Sequence, residues 1–388
     1  MRHYKFHGRL HAYAPYAREV EVWADLFDEV AIAAPLSEGE PAGDCAAIGR
    51  SNVQIVPQRE FGGETWAAKI RLVWHLPAMV WELCRALRQG DAIHVRCPGN
   101  LGFVGAILAP FFSKHIVAKF AGQWDSSPRD SLSVRLQRAL LRSRWWHGPV
   151  TIYGNWPRLP EHVIPFFSSA LTAEQIAGAR CAAQKRTADE ERNVLFVGRL
   201  SKSKNVDILL SALGRLRTEG ISFKCRIAGG GPELSVLQQL SGTLGLGDNV
   251  EFTGGVSFDR VLKLYEHSGI LVLVSQTEGW PKAIAEGMAF GLVAIGSNLG
   301  LIPEMLGEGR GLVVPPRDIE ALANALRRIL TSPEQYAAMR ERAALWSQGY
   351  SLDSLRESLR VLLAKHWGVP TNARSRPQPV NSAACFHE

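Results

Sequence analysis

The stretch ILVLVSQTEGWPKAIAEGMAFGLVAIG, residues 270–296, places a strand, a helix and a second strand in direct succession. The apolar runs ILVLVS and LVAIG are rich in Val and Ile, as buried strands are, and a helix is predicted between them at 281–290. Two strands joined by one helix form a right-handed crossover unit with parallel strands. This stretch therefore predicts an α/β protein with a parallel sheet.

The alternation of strand and helix continues along most of the chain. Strands are predicted at 29–34, 52–56, 92–95, 115–120, 150–153, 193–198, 223–229, 250–254, 270–275, 292–296 and 311–315. Helices are predicted at 16–27, 66–88, 131–146, 206–217, 232–244, 257–267, 281–290, 318–330, 333–346 and 352–366. Because one sheet with so many strands is unusually wide, we predict two doubly wound Rossmann-like domains that face each other across a cleft.

Shifts in composition predict where these domains begin and end. The polar segment 171–192 carries no strong strand signal, and we interpret it as a linker between an N-terminal domain, 1–170, and a C-terminal domain, 193–348. A segment with a further helix follows at 349–368. The last residues, 369–388, are rich in Pro, Ser and Asn and are predicted to be disordered.

The bulk composition narrows the class of protein. Of the 388 residues, 46% are hydrophobic and 21% are charged, as in globular proteins. The formal net charge of +7 is spread over both halves, so a nucleic-acid partner is the least expected one. Six scattered cysteines without a C-x-x-C pair indicate reduced thiols. The N-terminus lacks the apolar core of a signal peptide, and the apolar run 101–112 is too short to span a bilayer, so we expect a cytoplasmic protein.

Two glutamates eight positions apart, Glu278 and Glu286, flank a Gly-Trp-Pro turn. Ligands of such sheets bind beyond the carboxyl ends of the strands, and Glu278 follows a strand directly. Pro281 suits the first turn of a helix whose free amides can bind an anion. Two carboxylates with an anion site between them suit a nucleotide sugar. An isolated pair at this spacing is more often two solvated surface glutamates.

Other strand ends carry residues that fit the same ligand. NVLFVGRLSKSKN (193–205) offers Gly198, Arg199 and Lys204, whose charges could neutralise a diphosphate, although a solvated basic loop has the same composition. CRIAGGGPE (225–233) places three glycines, with Gly230 in the middle, after the next strand. GSNLGLIPE (296–304) follows another strand.

The order of these parts resembles the C-terminal domain of the family 4 glycosyltransferases, which are retaining enzymes of the GT-B architecture. The resemblance is strongest over 190–345 and rests on GRL-x3-K, AGGGPE, EGWPKAIAEGMAFG and GLIPE. Three positions depart from the family pattern: Asn205 and Leu301 replace usual glycines, and Phe290 replaces a usual cysteine.

The resemblance implies a role for each matching residue. Glu278 would contact the donor sugar and Glu286 the ribose hydroxyls, while Arg199 and Lys204 would hold the diphosphate; we take Glu278, Arg199 and Lys204 as the catalytic residues. The further predicted donor-binding residues are Gly279, Trp280, Pro281, Lys282, Gly198 and Gly230.

The resemblance also implies substrates and partners. The donor would be a UDP- or GDP-sugar, and the acceptor a saccharide or lipid-linked saccharide in the synthesis of cell-surface polysaccharide or glycolipid. The N-terminal domain would bind the acceptor, and the segment 349–368 would pack back on it. The sequence has no D-x-D motif, so we expect no metal and no cofactor.

The acceptor side is predicted from few residues. Gly8 is what remains of a glycine-rich loop after the first strand, and Trp124 and Asp125 follow a later strand, where they could stack on a sugar and bind a hydroxyl. A purely structural loop at 121–125 is an equally good interpretation.

A basic helix is predicted over 131–146. Arg135, Arg138 and Arg142 share one face, while Leu132, Leu136 and Leu140 share another, and Trp145 and Trp146 follow. This pattern suits contact with an anionic membrane surface at the inner face of the membrane. It is more typical of a surface helix whose leucines pack on the sheet.

Two other functions remain open at this point. A nucleotide-sugar 2-epimerase on the same fold needs acid and base groups around the sugar C2. A non-catalytic relative that binds sugar nucleotides would be expected to lose Glu278, Arg199 or Lys204, and all three are present.

Overall fold

The computed structural model describes residues 2–59, 66–125 and 130–368, with the side chains of 66–73 and 75 left out. The chain divides into two compact units. The first comprises the residues up to 167 together with the helix that begins near residue 353, and the second comprises residues 168–352. The predicted disordered tail, 369–388, lies outside the described residues.

Among its described residues before 168, the first unit contains ten strands and four α-helices. In chain order they are β1 His3–Phe6, β2 Arg9–Tyr13, α1 Ala14–Ala24, β3 Val30–Ala34, β4 Leu36–Glu38, β5 Cys45–Ala47, β6 Val53–Pro57, α2 Trp66–Leu87, β7 Ala92–Cys97, α3 Asn100–Leu108, β8 His115–Phe120, α4 Leu132–Arg142, β9 Val150–Tyr153 and β10 Val163–Phe166. A parallel sheet has the order β10-β9-β8-β7, and β3 pairs with β6 in parallel. A mixed sheet has the order β4-β1-β2-β5.

The hairpin β1–β2 was not predicted. Its two strands are antiparallel and are joined at His7 and Gly8, which both have positive φ angles of 46° and 73°. Two successive residues with positive φ form the turn that favours a tight hairpin. Gly8, which we predict to follow the first strand, therefore lies in a hairpin turn that leads into a second strand.

The second unit contains one sheet of six parallel strands. Its elements are α5 Ala173–Lys185, β11 Asn193–Val197, α6 Val206–Thr218, β12 Lys224–Ala228, α7 Leu234–Thr243, β13 Val250–Gly254, α8 Phe258–Glu266, β14 Ile270–Leu273, α9 Lys282–Ala289, β15 Val293–Ser297, α10 Ile302–Leu306, β16 Gly311–Val314, α11 Ile319–Thr331, α12 Ala337–Ser347 and then α13 Leu352–Trp367, most of which belongs to the first unit. The strand order β13-β12-β11-β14-β15-β16 is that of a Rossmann sheet. The predicted alternation of strand and helix is confirmed here.

The predicted linker, 171–192, is instead part of the second unit and contains α5. The Thr172 hydroxyl accepts a hydrogen bond from the Gln175 amide at 3.1 Å, and the Gln175 side chain accepts one from the Thr172 amide at 3.0 Å. This capping box starts the helix, and Ile176 and Ala179 are buried along one side. The segment lacks a strand signal because it is a helix with a narrow apolar face.

Helix α13 packs within the first unit. The guanidinium Nε of Arg356 lies 3.1 Å from a carboxylate oxygen of Asp25, and the Trp367 ring lies 5.5 Å from the ring of His115.

Candidate functional site

The strand order of the second unit reverses between β11 and β14. At such a switch point the loops after the two strands diverge and leave a crevice for a ligand. The loop after β11 carries Lys204 and the loop after β14 carries Glu278. The Lys204 ammonium donates a hydrogen bond to Oε1 of Glu278, and both side chains are largely but not fully buried. A charged pair that remains accessible therefore lies at the switch point of the sheet.

Asn205 joins the two loops. Its Nδ2 donates to the carbonyl of Val274 at 2.8 Å, and its Oδ1 accepts from Nε2 of Gln276 at 2.9 Å and from Nη1 of Arg317 at 3.1 Å. The residue is fully buried and left-handed, with φ 51°. Asparagine tolerates this conformation better than other non-glycine residues, which explains how it can replace the usual glycine. No motif in the sequence indicates a function for Asn205.

The three-glycine loop packs against the loop after β11. A Cβ added to Gly229 would lie 1.9 Å from the Gly198 carbonyl oxygen, and one added to Gly231 would lie 2.2 Å from that of Leu200. A Cβ on Gly230 would meet its nearest atom at 3.8 Å, and the Gly230 carbonyl accepts from the Leu200 amide at 2.8 Å. Gly229 and Gly231 are thus required for packing, whereas Gly230, the predicted donor-binding glycine, is not.

Arg199 lies on this same loop and is exposed. Within the described ranges its side chain makes no ion pair or hydrogen bond, so its guanidinium is available to a ligand.

Gly300 supports the loop that carries Glu278. Its φ is 60°, and an added Cβ would lie 2.8 Å from the Glu278 carbonyl oxygen. The next residue, Leu301, is buried and precedes α10. The departure from the family glycine at Leu301 therefore fills core space and leaves the contact of Gly300 with the Glu278 loop in place.

Glu286 lies on α9 and is 6% exposed. The Tyr265 hydroxyl donates a hydrogen bond to its Oε2 at 2.9 Å. The Phe290 ring stacks on the Tyr265 ring at 5.6 Å, so the residue that departs from the family cysteine supports the tyrosine. Helix α9 begins at Lys282, so Pro281 precedes the first turn instead of lying in it as predicted.

A small pocket lies beside α9 and is lined by Trp280, Lys282, Glu286 and Tyr350, together with the segment 168–171. The Trp280 ring meets the Tyr350 ring edge-on at 5.4 Å. The predicted donor-binding residues Trp280, Lys282 and Glu286 thus share one pocket. In sequence, Gly279 lies between Glu278 of the ion pair and Trp280 of the pocket, and it is partly exposed.

The predicted acceptor residue Trp124 lies in the core of the first unit. It is buried and meets Phe120 edge-on at 5.2 Å. A ring in this position offers no free face to a sugar, so its prediction as a stacking platform is wrong and the structural interpretation holds. Asp125 is exposed.

The predicted faces of helix α4 are also wrong. Arg138 is buried, where it donates to Asp130 at 2.9 Å and lies 5.6 Å from the centre of the Phe120 ring. Leu132 and Leu136 are exposed. A carboxylate partner and an aromatic face offset part of the cost of burying an arginine, and a helical wheel does not reveal such partners.

The described part of the chain has no cluster of metal-ligand side chains and no membrane-spanning helix. Over 2–59, 66–125 and 130–368, no three or more His, Cys, Asp or Glu side chains form a group that could hold a metal. His3, His7 and His11 have the spacing H-x3-H, but they lie on and between the strands of the hairpin. No helix within these ranges is both long and apolar enough to cross a bilayer.

Comparison with known proteins finds sequence similarity in the second unit. Residues 181–346 match the family model of glycosyl transferases group 1. An uncharacterized glycosyltransferase of Haemophilus influenzae is 32% identical over 179 residues, which cover 45% of this chain and 49% of that protein. A GDP-mannose-dependent α-(1-6)-phosphatidylinositol monomannoside mannosyltransferase of Mycobacterium tuberculosis is 30% identical over 177 residues, 43% of this chain and 46% of that protein. The matches thus span about half the length of these relatives.

Solved structures extend the similarity to the whole fold. HepE of Anabaena, solved with UDP and glucose, has a TM-score of 0.67 at 16% identity and covers 91% of this chain and 96% of its own. The sucrose-phosphate synthase of Thermosynechococcus elongatus has a TM-score of 0.68 at 21% identity, with 91% and 93% covered. The predicted fold class, two Rossmann-like domains of the GT-B architecture, is confirmed.

Proposed function

We propose that the protein is a retaining glycosyltransferase that moves a sugar from a UDP- or GDP-sugar to a saccharide or lipid-linked acceptor. The observation that carries the proposal is the accessible pair of Lys204 and Glu278 at the switch point of a Rossmann sheet, within a segment that matches glycosyl transferases group 1. A ligand there meets a cation for phosphate and a carboxylate for sugar hydroxyls. The named relatives, which use GDP-mannose or were solved with UDP, support this donor class.

Each side chain has a distinct part in the proposed donor complex. Glu286, fixed by Tyr265, accepts hydrogen bonds from the ribose hydroxyls. Arg199 is free to hold the diphosphate with its planar fork, and Lys204 adds a point charge beside it. The amides that begin α9 face the same negative charge, which the helix dipole favours.

The proposed reaction is a front-face displacement. The bond from the anomeric carbon to the diphosphate oxygen breaks, the acceptor oxygen bonds to the same face of that carbon, and its proton passes to the leaving phosphate. Arg199, Lys204 and the α9 amides stabilise the charge that develops on that phosphate. No protein base and no metal ion are part of this proposal.

The donor part is tested by melting temperature against UDP, GDP, ADP and their common sugars. A ligand that binds only the native protein raises the melting temperature. We expect one nucleotide family to do so, Glu286→Ala to lose the rise, and Glu251→Ala to keep it as a matched control, because Glu251 is an exposed partner of Arg226 in the same unit. Absence of any rise would refute the donor assignment.

The catalytic part is tested with Glu278→Gln. This variant should keep nucleotide-dependent stabilisation but lose most of its release of nucleoside diphosphate from the sugar donor. Full turnover in the variant would remove Glu278 from the site. Recovery of a C2-epimerised sugar in place of a transfer or hydrolysis product would favour the epimerase function.

A lipid-linked acceptor is favoured by an exposed apolar patch on the first unit, which we define as Ile107, Phe111, Leu132, Leu136 and Trp145. Phe111 and Leu132 are 70% and 71% exposed, and the Phe111 ring contacts the Trp145 ring edge-on at 5.1 Å. The neighbouring chain carries exposed arginines at 135, 142 and 144. Exposed apolar side chains with cations on the same segment suit an anionic bilayer surface, and we propose that the protein binds there peripherally.

The membrane proposal is tested by flotation with vesicles that contain anionic phospholipid. Phe111→Glu with Leu132→Glu should abolish flotation. Leu345→Glu is the matched control, because Leu345 is 69% exposed but lies on α12 of the second unit. Equal flotation of all variants would refute contact through this patch.

A further inference from the structure

A second cluster of charges lies at a sheet edge in the first unit. Arg96 and Lys119 are register partners near the carboxyl ends of β7 and β8. Oε1 of Glu19, on α1, accepts a hydrogen bond from Lys119 Nζ at 2.7 Å and from Arg96 Nη1 at 3.1 Å. In sequence, Arg96 lies 77 positions and Lys119 100 positions from Glu19, yet both contact the same carboxylate oxygen.

The cluster has more positive than negative charge. Burial alone lowers the pKa of Lys119, but Glu19 raises it above the ordinary value on balance, so the ammonium stays charged. The pKa of Arg96 is also raised on balance: burial lowers it, while Glu19 and, less strongly, Tyr153 and Tyr16 raise it. Two cations therefore share one carboxylate in a place where Glu19 is 3% and Lys119 5% exposed. A buried surplus charge is costly unless a counter-charge is supplied.

The two cations also have N–H donors that make no hydrogen bond within the described part of the chain. A guanidinium has five N–H donors and an ammonium three, and in the described part of the chain each of these two donates only to Glu19. Aromatic faces cover their other sides: the Tyr16 ring lies 5.4 Å from the Arg96 guanidinium, and the Tyr153 ring lies 5.3 Å from Lys119 Nζ. The side chain of Arg96 is 32% exposed, so the cluster opens to solvent through its guanidinium.

We propose that Arg96 and Lys119 bind an oxyanion, a phosphate or carboxylate group that belongs to the acceptor. That the anion belongs to an acceptor rests on the proposed transferase function, whereas the anion site itself does not depend on that function. The position beyond the carboxyl ends of parallel strands is where such sheets place ligands. An oxyanion offers several acceptor atoms to the planar fork of Arg96 and supplies the missing negative charge. The acceptor is therefore an anionic saccharide or a phosphate-linked one, not a neutral sugar.

The test is calorimetric titration of the full chain with inorganic phosphate and, separately, with malonate, each in the presence and absence of UDP. Arg96→Gln should weaken binding of the preferred anion by roughly 10- to 100-fold, the range for a charge-assisted hydrogen bond. Arg96→Gln keeps the balanced pair of Lys119 and Glu19, so it should fold. If it does not fold, Arg96→Lys, which keeps the charge but loses the planar fork, replaces it in the titration. Arg50→Gln, which breaks an ion pair with Asp25 in the same unit, is the control.

Arg199→Gln separates this proposal from the donor site. Anion binding that survives Arg199→Gln and UDP but is lost in Arg96→Gln supports the acceptor site, whichever anion binds more tightly. Binding that UDP or Arg199→Gln abolishes, or that Arg96→Gln leaves unchanged, overturns it. Failure of UDP to bind would count against the donor assignment alone, because the phosphate titration still reports on Arg96.

Discussion

The hydroxyl of Tyr265 is predicted to hold Glu286 in place for the donor. Tyr265→Phe removes one oxygen atom, keeps the stack on Phe290, and takes away a 2.9 Å hydrogen bond to a buried carboxylate. A hydrogen bond to a charged group contributes about 1.5–3 kcal/mol. We therefore expect the free energy of unfolding at pH 7 to fall by about 1.5–3 kcal/mol, at roughly 2–4 °C of melting temperature per kcal/mol for a unit of this size.

The assay is urea unfolding of four proteins: the natural chain, Tyr265→Phe, Glu286→Gln and the double variant. If the two groups act as a pair, the double variant should be more stable than additivity predicts by about 1–2 kcal/mol. Phe290→Leu controls for packing, since it weakens the stack but keeps both polar groups. A loss below about 0.5 kcal/mol in Tyr265→Phe, the level of an ordinary surface change, would refute the reasoning.

Three further predictions concern backbone and charge. Gly300→Ala should cost about 2–4 kcal/mol in urea unfolding because of both its positive φ and a 2.8 Å clash, whereas Gly8→Ala, which has positive φ but nothing within 4 Å, should cost only about 1 kcal/mol; equal losses would contradict the clash. Asn205→Ala should be about 1 kcal/mol less stable than Asn205→Gly, because glycine adopts φ 51° freely while both lose the same hydrogen bonds; the reverse order would show that the conformation is not strained. Glu19→Gln should cost about 3–5 kcal/mol, because it leaves two cations without a counter-charge. In the natural chain the pKa of Lys119 is raised, so its contribution to the free energy of unfolding is lost only above pH 10.5. In Glu19→Gln burial lowers that pKa, so the contribution of Lys119 should rise with pH toward 10.5. Parallel pH profiles of the two proteins would contradict this.

The sequence predicts the second unit well because its strands are buried on both faces. Leu271 and Val272 of β14 are fully buried, and such strands appear as unbroken apolar runs. Strand β1, HYKF, alternates polar and apolar residues over only four positions, and β10 contains a proline, so neither has that signal.

Part of the candidate site was predicted because its residues follow strands: Glu278 and Lys204 do, and the structure places them in contact. Glu286, inside a helix, was predicted from the family motif that contains it. Glu19 meets Lys119 across 100 positions, and Tyr265 reaches Glu286 from another helix, so no local pattern marks either contact. The errors at Trp124 and Arg138 have one cause: whether a side chain faces solvent or the core depends on tertiary packing.

The three hydrogen bonds of Asn205 have a consequence for the thermodynamics of donor binding. A glycine at this position would leave the loop that carries Lys204 with many conformations, and a ligand would have to select one of them at a cost in entropy. Here the side chain imposes that order when the chain folds. Donor binding should therefore not include the entropy cost of ordering this loop, and a glycine variant should bind with similar enthalpy but a less favourable entropy.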